Sequence, residues 1–233
     1  MLLGMDTTGT VCAVALARDG VIVATRSEPM VKGHAERLFP LIEAACAEAG
    51  SGLASLTRIG VATGPGSFTG IRIGVAAARG LALGTGAPAV GVTRFEAVAA
   101  AVAMRPGPEG GSTRPRALEE KVGWAEARPL AVALMGRGDT RFLQCFAPGL
   151  APLAPPRALA AADLARDLPP RAVRVGDGWG PDAEPGLEAL AVPDAAIVAR
   201  LAAERVPGSP PAPLYLREAD ADPPREAPPM LLD

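Results

Sequence analysis

Three short runs rich in apolar and β-branched residues open the chain and predict strands. They are Leu2–Met5, Val11–Ala17 and Val21–Arg26, and the pair Asp19-Gly20 separates the second run from the third. An Asp-Gly step between two such runs is a strong hairpin signal. We therefore expect the chain to begin as a three-stranded antiparallel meander.

Apolar residues then recur every three or four positions between Ala35 and Ala49, which predicts a helix that ends at Gly50. Pro40 lies inside this pattern, and a proline within a helix removes one backbone hydrogen bond. The spacing places six apolar side chains on one stripe of the helix. They are Leu38, Leu41, Ile42, Ala45, Cys46 and Ala49.

Strands and helices alternate along the rest of the chain. A strand at Ile59–Thr63 leads through a glycine-rich loop into a helix at Gly70–Gly86, where small residues recur every four positions. Glycine costs about 1 kcal/mol per interior helix position relative to alanine, so close packing should offset that cost. Further elements are expected in this order: strand Ala89–Val92, helix Phe95–Ala103, hairpin Leu130–Met135 with Arg141–Ala147, helix Ala158–Leu168, strand Ala172–Val175 and helix Asp194–Arg205.

This order predicts an α/β protein with mixed sheets flanked by helices. Changes in composition divide the chain into four parts. We expect an N-terminal lobe at 1–103, an inserted Pro/Gly-rich connection at 104–129, a smaller C-terminal lobe at 130–217 and a loose tail at 218–233.

The composition narrows the classes of function. The net charge is −2 and no long basic run is present, so the chain alone is not expected to bind nucleic acid tightly. Three widely spaced cysteines argue against a disulfide framework and a structural zinc site. The N-terminus resembles no signal peptide, and the most apolar helix contains Arg72 and Arg79. We expect a cytoplasmic protein without a membrane segment.

The stretch Gly64–Gly74 reads GPGSFTGIRIG and joins a predicted strand to a predicted helix. A glycine loop at a helix N-terminus presents backbone N–H groups at the positive end of the helix dipole, a place that favours phosphate. The stretch lacks the Gly-Lys-Ser/Thr end of a Walker A sequence and the spacing of G-x-G-x-x-G. The alternative is a tight turn in which glycine supplies unusual backbone angles.

Four sequence blocks resemble the signature of the TsaB family. They are Asp6-Thr7-Thr8, Gly33–Leu38 with Pro40-Leu41-Ile42, Gly64–Gly74, and Pro213–Arg217. The resemblance is dense over residues 1–100, patchy from 100 to 212, and returns at 213–217. It implies a two-lobed, actin-like ATPase fold of the ribonuclease H-like type.

The resemblance also implies partners. TsaB is a non-catalytic subunit that binds and activates TsaD, which transfers a threonylcarbamoyl group to the adenosine beside the anticodon of tRNA. TsaE joins that assembly, TsaB also self-pairs, and tRNA is reached only through the complex. The implied contact is a bundle of the first two helices with those of the partner. The expected interface residues are Leu38, Leu41, Ile42, Ala45, Arg72, Val75, Ala76 and Arg79.

A nucleotide site is implied only in vestigial form. In sugar kinases, actin and Hsp70-type ATPases, the first hairpin wraps the phosphates and a later glycine pair lies near the adenosine. The chain is expected to require no cofactor, and to meet ATP or ADP only within the complex. The matching positions are Asp6, Thr7, Thr8, Gly64, Gly66, Ser67, Thr69, Gly176 and Gly178.

Catalytic groups are missing from the pattern. Active paralogues hold a metal with two histidines four residues apart, whereas the single histidine here, His34, is followed four positions later by Leu38. Because zinc or iron normally needs three or four protein ligands, we expect no metal site and no catalysis, with His34 capping or packing the helix. Relatives carry Asp-Ala-Arg where Met135-Gly136-Arg137 stands. Two alternatives remain, a nucleotide-hydrolysing enzyme of the actin-like or sugar-kinase type and a metallopeptidase-like protein.

Overall fold

A five-stranded sheet forms the first half of the molecule. The computed structural model describes residues 1–105, 128–187, 190 and 194–216. The strand order in this sheet is β3-β2-β1-β4-β5, with β1, β2 and β3 antiparallel and β4 and β5 parallel to β1. The expected N-terminal meander is therefore confirmed. The strands are β1 (Leu2–Asp6), β2 (Val11–Arg18), β3 (Val21–Pro29), β4 (Arg58–Ala62) and β5 (Ala89–Val92).

Four helices surround this sheet. They are α1 (His34–Glu48), α2 (Phe68–Thr85), α3 (Arg94–Ala103) and α4 (Ala195–Glu204). Helices α1 and α2 share a hydrophobic core with the sheet, and α4 packs against β1, β2 and β4. Each of the last three helices begins at a residue whose side chain accepts backbone N–H groups, which stabilises the helix start. These N-cap residues are Ser67, Thr93 and Asp194.

Two glycines on adjacent strands let α4 approach the sheet closely. Gly4 of β1 and Gly60 of β4 are register partners. A Cβ atom at Gly4 would lie 2.2 Å from the carbonyl oxygen of Ala195, and one at Gly60 would lie 2.6 Å from the Cβ of Ala202. Arg58, at the start of β4, donates to three carbonyl groups at the C-terminal end of α4. The helix is thus fitted to a side-chain-free patch of the sheet.

A smaller second sheet repeats the order of the first four strands. Its order is β8-β7-β6-β9, with β7 antiparallel to both β6 and β8 and with β9 parallel to β6. Two lobes built on the same strand order confirm the expected two-lobed, ribonuclease H-like fold class. The strands are β6 (Leu130–Met135), β7 (Thr140–Phe146), β8 (Arg157–Ala160) and β9 (Val173–Val175).

One expected element is wrong. A helix is expected at Ala158–Leu168, but the first three residues of this run belong to β8, which pairs with β7. A 3-10 turn follows at Ala161–Asp163, and its first N–H donates to the carbonyl oxygen of Asp139. Pairing with an existing strand edge therefore overrides helix propensity here, as tertiary context often does.

The chain passes between the lobes more than once. Helix α3 shares a core with β6 and β9 of the second sheet, whereas α4, which follows that sheet in sequence, packs on the first. Most of the predicted connection at 104–129, all of the predicted tail at 218–233, and Arg217 lie outside the described residues. Within the described residues, no helix has both the length and the apolar character that crossing a membrane requires.

Candidate functional site

The Asp6-Thr7-Thr8 turn lies directly against the glycine loop. This happens because β1 and β4 are parallel neighbours, so the segments that leave them emerge at the same edge of the sheet. The backbone N–H of Ser67 donates to the carbonyl oxygen of Thr8 at 2.7 Å. The hydroxyl of Thr7 donates to the carbonyl oxygen of Gly70, also at 2.7 Å. The two motifs chosen from the sequence therefore form one structural unit.

Glycine is required in this loop because the backbone of the turn leaves no room for a side chain. A Cβ atom at Gly66 would lie 2.2 Å from the carbonyl oxygen of Thr8, and one at Gly70 would lie 2.0 Å from that of Thr7. At Gly74 it would lie 2.6 Å from the Thr7 hydroxyl oxygen. Real Cβ atoms are not found at such distances. The glycines thus serve close contact between the turn, the loop and the first turns of α2.

The buried side chain of Asp6 stabilises the turn through hydrogen bonds from Thr8. Its side chain is 1% exposed, and Oδ1 accepts hydrogen bonds from the N–H of Thr8 at 2.8 Å and from the Thr8 hydroxyl at 2.6 Å. Burial raises the pKa of Asp6, while the positive charge of Arg94 and the bonds from Thr8 oppose that rise. Arg94 also ties the loop to α3, since its N–H and its guanidinium donate to the carbonyl oxygens of Gly64 and Pro65.

Part of the hydrogen-bonding capacity of the folded loop is used within the protein. The N–H of Ser67 is used by Thr8, and the Ser67 hydroxyl caps the N–H of Gly70 at 3.2 Å. An anion site of this type needs unengaged N–H groups that converge on one point. Thr69 is exposed beside the loop, and nucleotide binding within a complex stays a prediction.

The glycine pair of the second lobe is also used for packing. A Cβ atom at Gly176 would lie 2.3 Å from the carbonyl oxygen of Ala133, and one at Gly178 would lie 2.7 Å from the carbonyl carbon of that residue. Asp177, between them, accepts a hydrogen bond from the N–H of Met135 at 2.8 Å. The segment thus closes over the end of β6, and its expected place beside an adenosine stays a prediction.

His34 does not cap α1. Gly33 holds the N-cap position, and His34 is a buried first residue whose Nε2 has no hydrogen-bond partner among the described residues. Leu38, four positions after His34, is in the core. Within the described part of the chain, no group of three or more His, Cys, Asp or Glu side chains is placed to hold a metal ion.

The predicted partner residues fall into two groups. Leu38, Leu41, Ile42 and Ala45 are buried against the first sheet, and Val75 is 3% exposed. Their burial corrects the expectation that the stripe of α1 faces a partner, because a stripe covered by the chain's own sheet cannot also line its surface. Arg72, Ala76 and Arg79 are exposed on α2.

A segment that sequence reasoning did not connect with the site lies along α2. We call residues 211–216 the C-terminal strap. The N–H of Leu214 donates to the carbonyl oxygen of Thr63 at 2.9 Å, and the side chains of Leu214 and Leu216 pack against the core of the second lobe. The Pro213–Arg217 block was the one signal of this segment in the sequence, and it carried no information about what the segment contacts.

Known proteins resemble this chain in sequence and in fold. A family model described as TsaD, tRNA N6-adenosine threonylcarbamoyltransferase, matches residues 26–118. The TsaB protein of Escherichia coli, named for tRNA threonylcarbamoyladenosine biosynthesis, is 37% identical over 98 residues, 42% of each chain. TsaB of Haemophilus influenzae is 36% identical over 100 residues, 43% of this chain and 42% of that one. An uncharacterized Pseudomonas aeruginosa protein with similarity to peptidase YeaZ superposes with a TM-score of 0.72 at 28% identity, over 93% of this chain and 99% of that one.

The chain is similar to TsaB proteins in sequence over less than half of its length. The alignments span less than half the length of the curated TsaB relatives. The family model begins in β3 and includes α1, the glycine loop and α2. The match thus includes the glycine loop but not β1 or the Asp6-Thr7-Thr8 turn.

Proposed function

We propose that this chain is a non-catalytic subunit in tRNA threonylcarbamoyladenosine biosynthesis, which binds TsaD and holds it in an active form. The observation that carries the proposal is the contrast between the glycine loop and the helix that follows it. The loop itself is closed on Thr7 and Thr8, while the helix that it starts turns an exposed face outward, with Leu83 89% exposed. That arrangement favours binding of a partner protein over catalysis.

The absence of catalysis is part of this proposal. The carboxylate of Asp6 is engaged by Thr8 within its own turn, and Asp177 accepts from the backbone of β6. Both acidic groups that an ATPase of this fold would offer to magnesium thus hold backbone in place. The relatives' names support a role in the pathway. TsaE and tRNA would be reached through the complex with TsaD.

The docking surface is proposed on the outward side of α1 and α2. Phe39 on α1 is 42% exposed, and Ala76 on α2 is exposed where a partner helix would approach closely. These positions replace the buried stripe of α1 as the expected contact. Pairing of two copies through the same surface would compete with TsaD binding.

Size-exclusion chromatography of the chain with its cognate TsaD, with and without ADP, tests the proposal. We expect a complex with the wild-type chain and its loss in Ala76→Glu, since the longer side chain prevents a partner helix from packing closely against this position. Ala203→Glu is the matched control, because Ala203 is an exposed helix position on α4, across the first sheet. A complex that survives Ala76→Glu would refute the surface, and no complex with the wild-type chain would refute the function.

Activity assays separate the alternatives. ATP hydrolysis by the chain alone that is lost in Asp6→Asn would favour a nucleotide-hydrolysing enzyme. Peptide hydrolysis that a chelator abolishes would favour a metallopeptidase-like protein. We expect neither activity above the level of a buffer blank, and tRNA modification only when TsaD is added.

A further inference from the structure

Two arginines on the outward face of α2 are held by the C-terminal strap in the same manner. The Nε of Arg72 donates to the hydroxyl oxygen of Tyr215 at 2.7 Å, and the Nε of Arg79 donates to the carbonyl oxygen of Pro211 at 2.9 Å. The strap itself is fixed to the first lobe through Leu214. Both guanidinium groups are therefore oriented by one segment of the chain.

Aromatic rings orient Arg72 further. Its guanidinium carbon lies 3.7 Å from the ring centroid of Phe68 and 5.6 Å from that of Tyr215, and the two centroids are 5.1 Å apart. Cations stacked on rings in this way gain about 0.5–1 kcal/mol at exposed sites. Phe68 and Tyr215 are nevertheless 44% and 43% exposed. The cluster thus preorganises a cation that remains at the surface.

The terminal nitrogens of both arginines are available to a partner. In the described part of the chain, every contact of Arg72 and Arg79 that the structure gives uses Nε or a ring face. The two terminal nitrogens of a guanidinium donate two parallel hydrogen bonds to the two oxygens of one carboxylate. Seven residues separate Arg72 and Arg79, so they lie about 10.5 Å apart along one face of the helix.

Apolar groups lie at both ends of this charged pair. Phe68, Arg72, Ala76, Arg79 and Leu83 follow each other at intervals of four, four, three and four residues, which places them on one face of α2. Leu83 is 89% exposed, and Ala76 is exposed between the arginines. Along this face, apolar side chains therefore precede, separate and follow the two arginines.

We propose that the C-terminal strap positions Arg72 and Arg79 to receive a partner helix that carries two carboxylates about one heptad apart, flanked by apolar side chains. The inference rests on the proposed function and names the chemistry of the surface that TsaD would offer. Protein is favoured over RNA because the described residues place two cations on this face, both ends are apolar, and the net charge of the chain is −2. Tyr215 acts here as a positioning residue.

Titration of full-length variants against cognate TsaD, at low salt and at about 0.5 M salt, tests this inference. We expect Arg72→Gln and Arg79→Gln each to weaken binding about fivefold and to flatten its salt dependence. Tyr215→Phe keeps the ring and loses only the acceptor, so it should weaken binding about twofold at low salt. Arg166→Gln, which removes an exposed arginine of the second lobe, is the control and should bind as the wild type.

The outcomes are distinguishable. Wild-type protein that fails to bind TsaD overturns the proposed function. Wild-type binding that neither arginine variant weakens overturns this inference alone. Unchanged TsaD affinity combined with weaker tRNA binding by the assembled complex would assign the arginines to phosphates and also overturn it. If Arg72→Gln and Arg79→Gln weaken binding but Tyr215→Phe does not, the result would support an acidic partner and overturn the positioning role of the strap.

Discussion

Gly70 and Thr7 touch so closely that a Cβ atom on the glycine would lie 2.0 Å from the threonine carbonyl oxygen. The Thr7 hydroxyl meanwhile donates to the Gly70 carbonyl oxygen. The start of α2 is therefore joined to the end of β1 by both a hydrogen bond and a steric fit. Gly80 and Gly84 of the same helix have no atom within 4 Å of such a Cβ, which gives a matched comparison.

Gly70→Ala and Gly80→Ala should change stability in opposite directions. The first forces the turn and the helix apart, and overpacking of this kind costs about 1–3 kcal/mol. The second places a methyl group where nothing lies within 4 Å, so it should stabilise the protein by up to about 1 kcal/mol through helix propensity. Urea unfolding measures both free energies. Equal effects of the two substitutions would contradict the proposed contact.

Gly4→Ala should displace α4 from the first sheet. The new methyl group would meet the carbonyl oxygen of Ala195 and the N–H of Ala199, both of which are backbone and cannot move independently. We expect a loss of about 3 kcal/mol and faster hydrogen exchange in α4. Gly52→Ala, where nothing lies within 4 Å, should stay within about 0.5 kcal/mol of the wild type. Slow exchange retained in α4 of the Gly4 variant would argue against this packing.

The raised pKa of Asp6 gives its contribution to stability a definite sign. Because the folded protein holds the proton more tightly than the unfolded chain, this contribution is largest below the ordinary pKa of 3.8 and declines as the pH rises towards the folded-state pKa. Asp6→Asn keeps an acceptor for Thr8 and should remove that decline. The free energy of unfolding of the variant relative to the wild type should therefore increase with pH above 3.8.

Denaturant unfolding at a series of pH values checks this prediction. Asp182→Asn, at an exposed position of the second lobe, controls for the loss of one carboxylate anywhere on the protein. A difference between wild type and Asp6→Asn that stays constant with pH, or that decreases, would mean that burial does not dominate the environment of Asp6.

The buried thiol of Cys12 should resist alkylation. Burial, with the negative charges of Glu28 and Asp6, raises its pKa to about 11. The reactive thiolate is therefore scarce near pH 8, and the side chain is 0% exposed. Mass spectrometry after iodoacetamide treatment should find Cys145, which is only partly buried, modified first. Modification of Cys12 at the same rate in folded and denatured protein would contradict this expectation.

Local patterns in the sequence were sufficient for most elements but not for their surroundings. The stripe from Leu38 to Ala45 identified a helix correctly, yet an apolar stripe has the same spacing whether it faces its own sheet or a partner. Ala158 and Ala160 favour a helix, and only pairing with the edge of β7 makes this segment a strand. Arg72 and Tyr215 lie 143 residues apart in sequence, so no local pattern could join them. The contact between the two motifs at Thr8 and Gly66 can be predicted once β1 and β4 are recognised as parallel neighbours, because each motif directly follows one of these strands.

The close fit of α4 to Gly4 and Gly60 has a consequence for the order in which the protein is made. The ribosome releases all five strands of the first sheet well before residues 195–204. Until that late segment emerges, the face of the finished sheet at Gly4 and Gly60 lacks the helix that covers it. The first lobe is therefore a discontinuous folding unit, and a fragment that ends before Asp194 should expose the glycine patch and bind chaperones or aggregate. Supplying the missing helix as a separate peptide would be a route to rescue it.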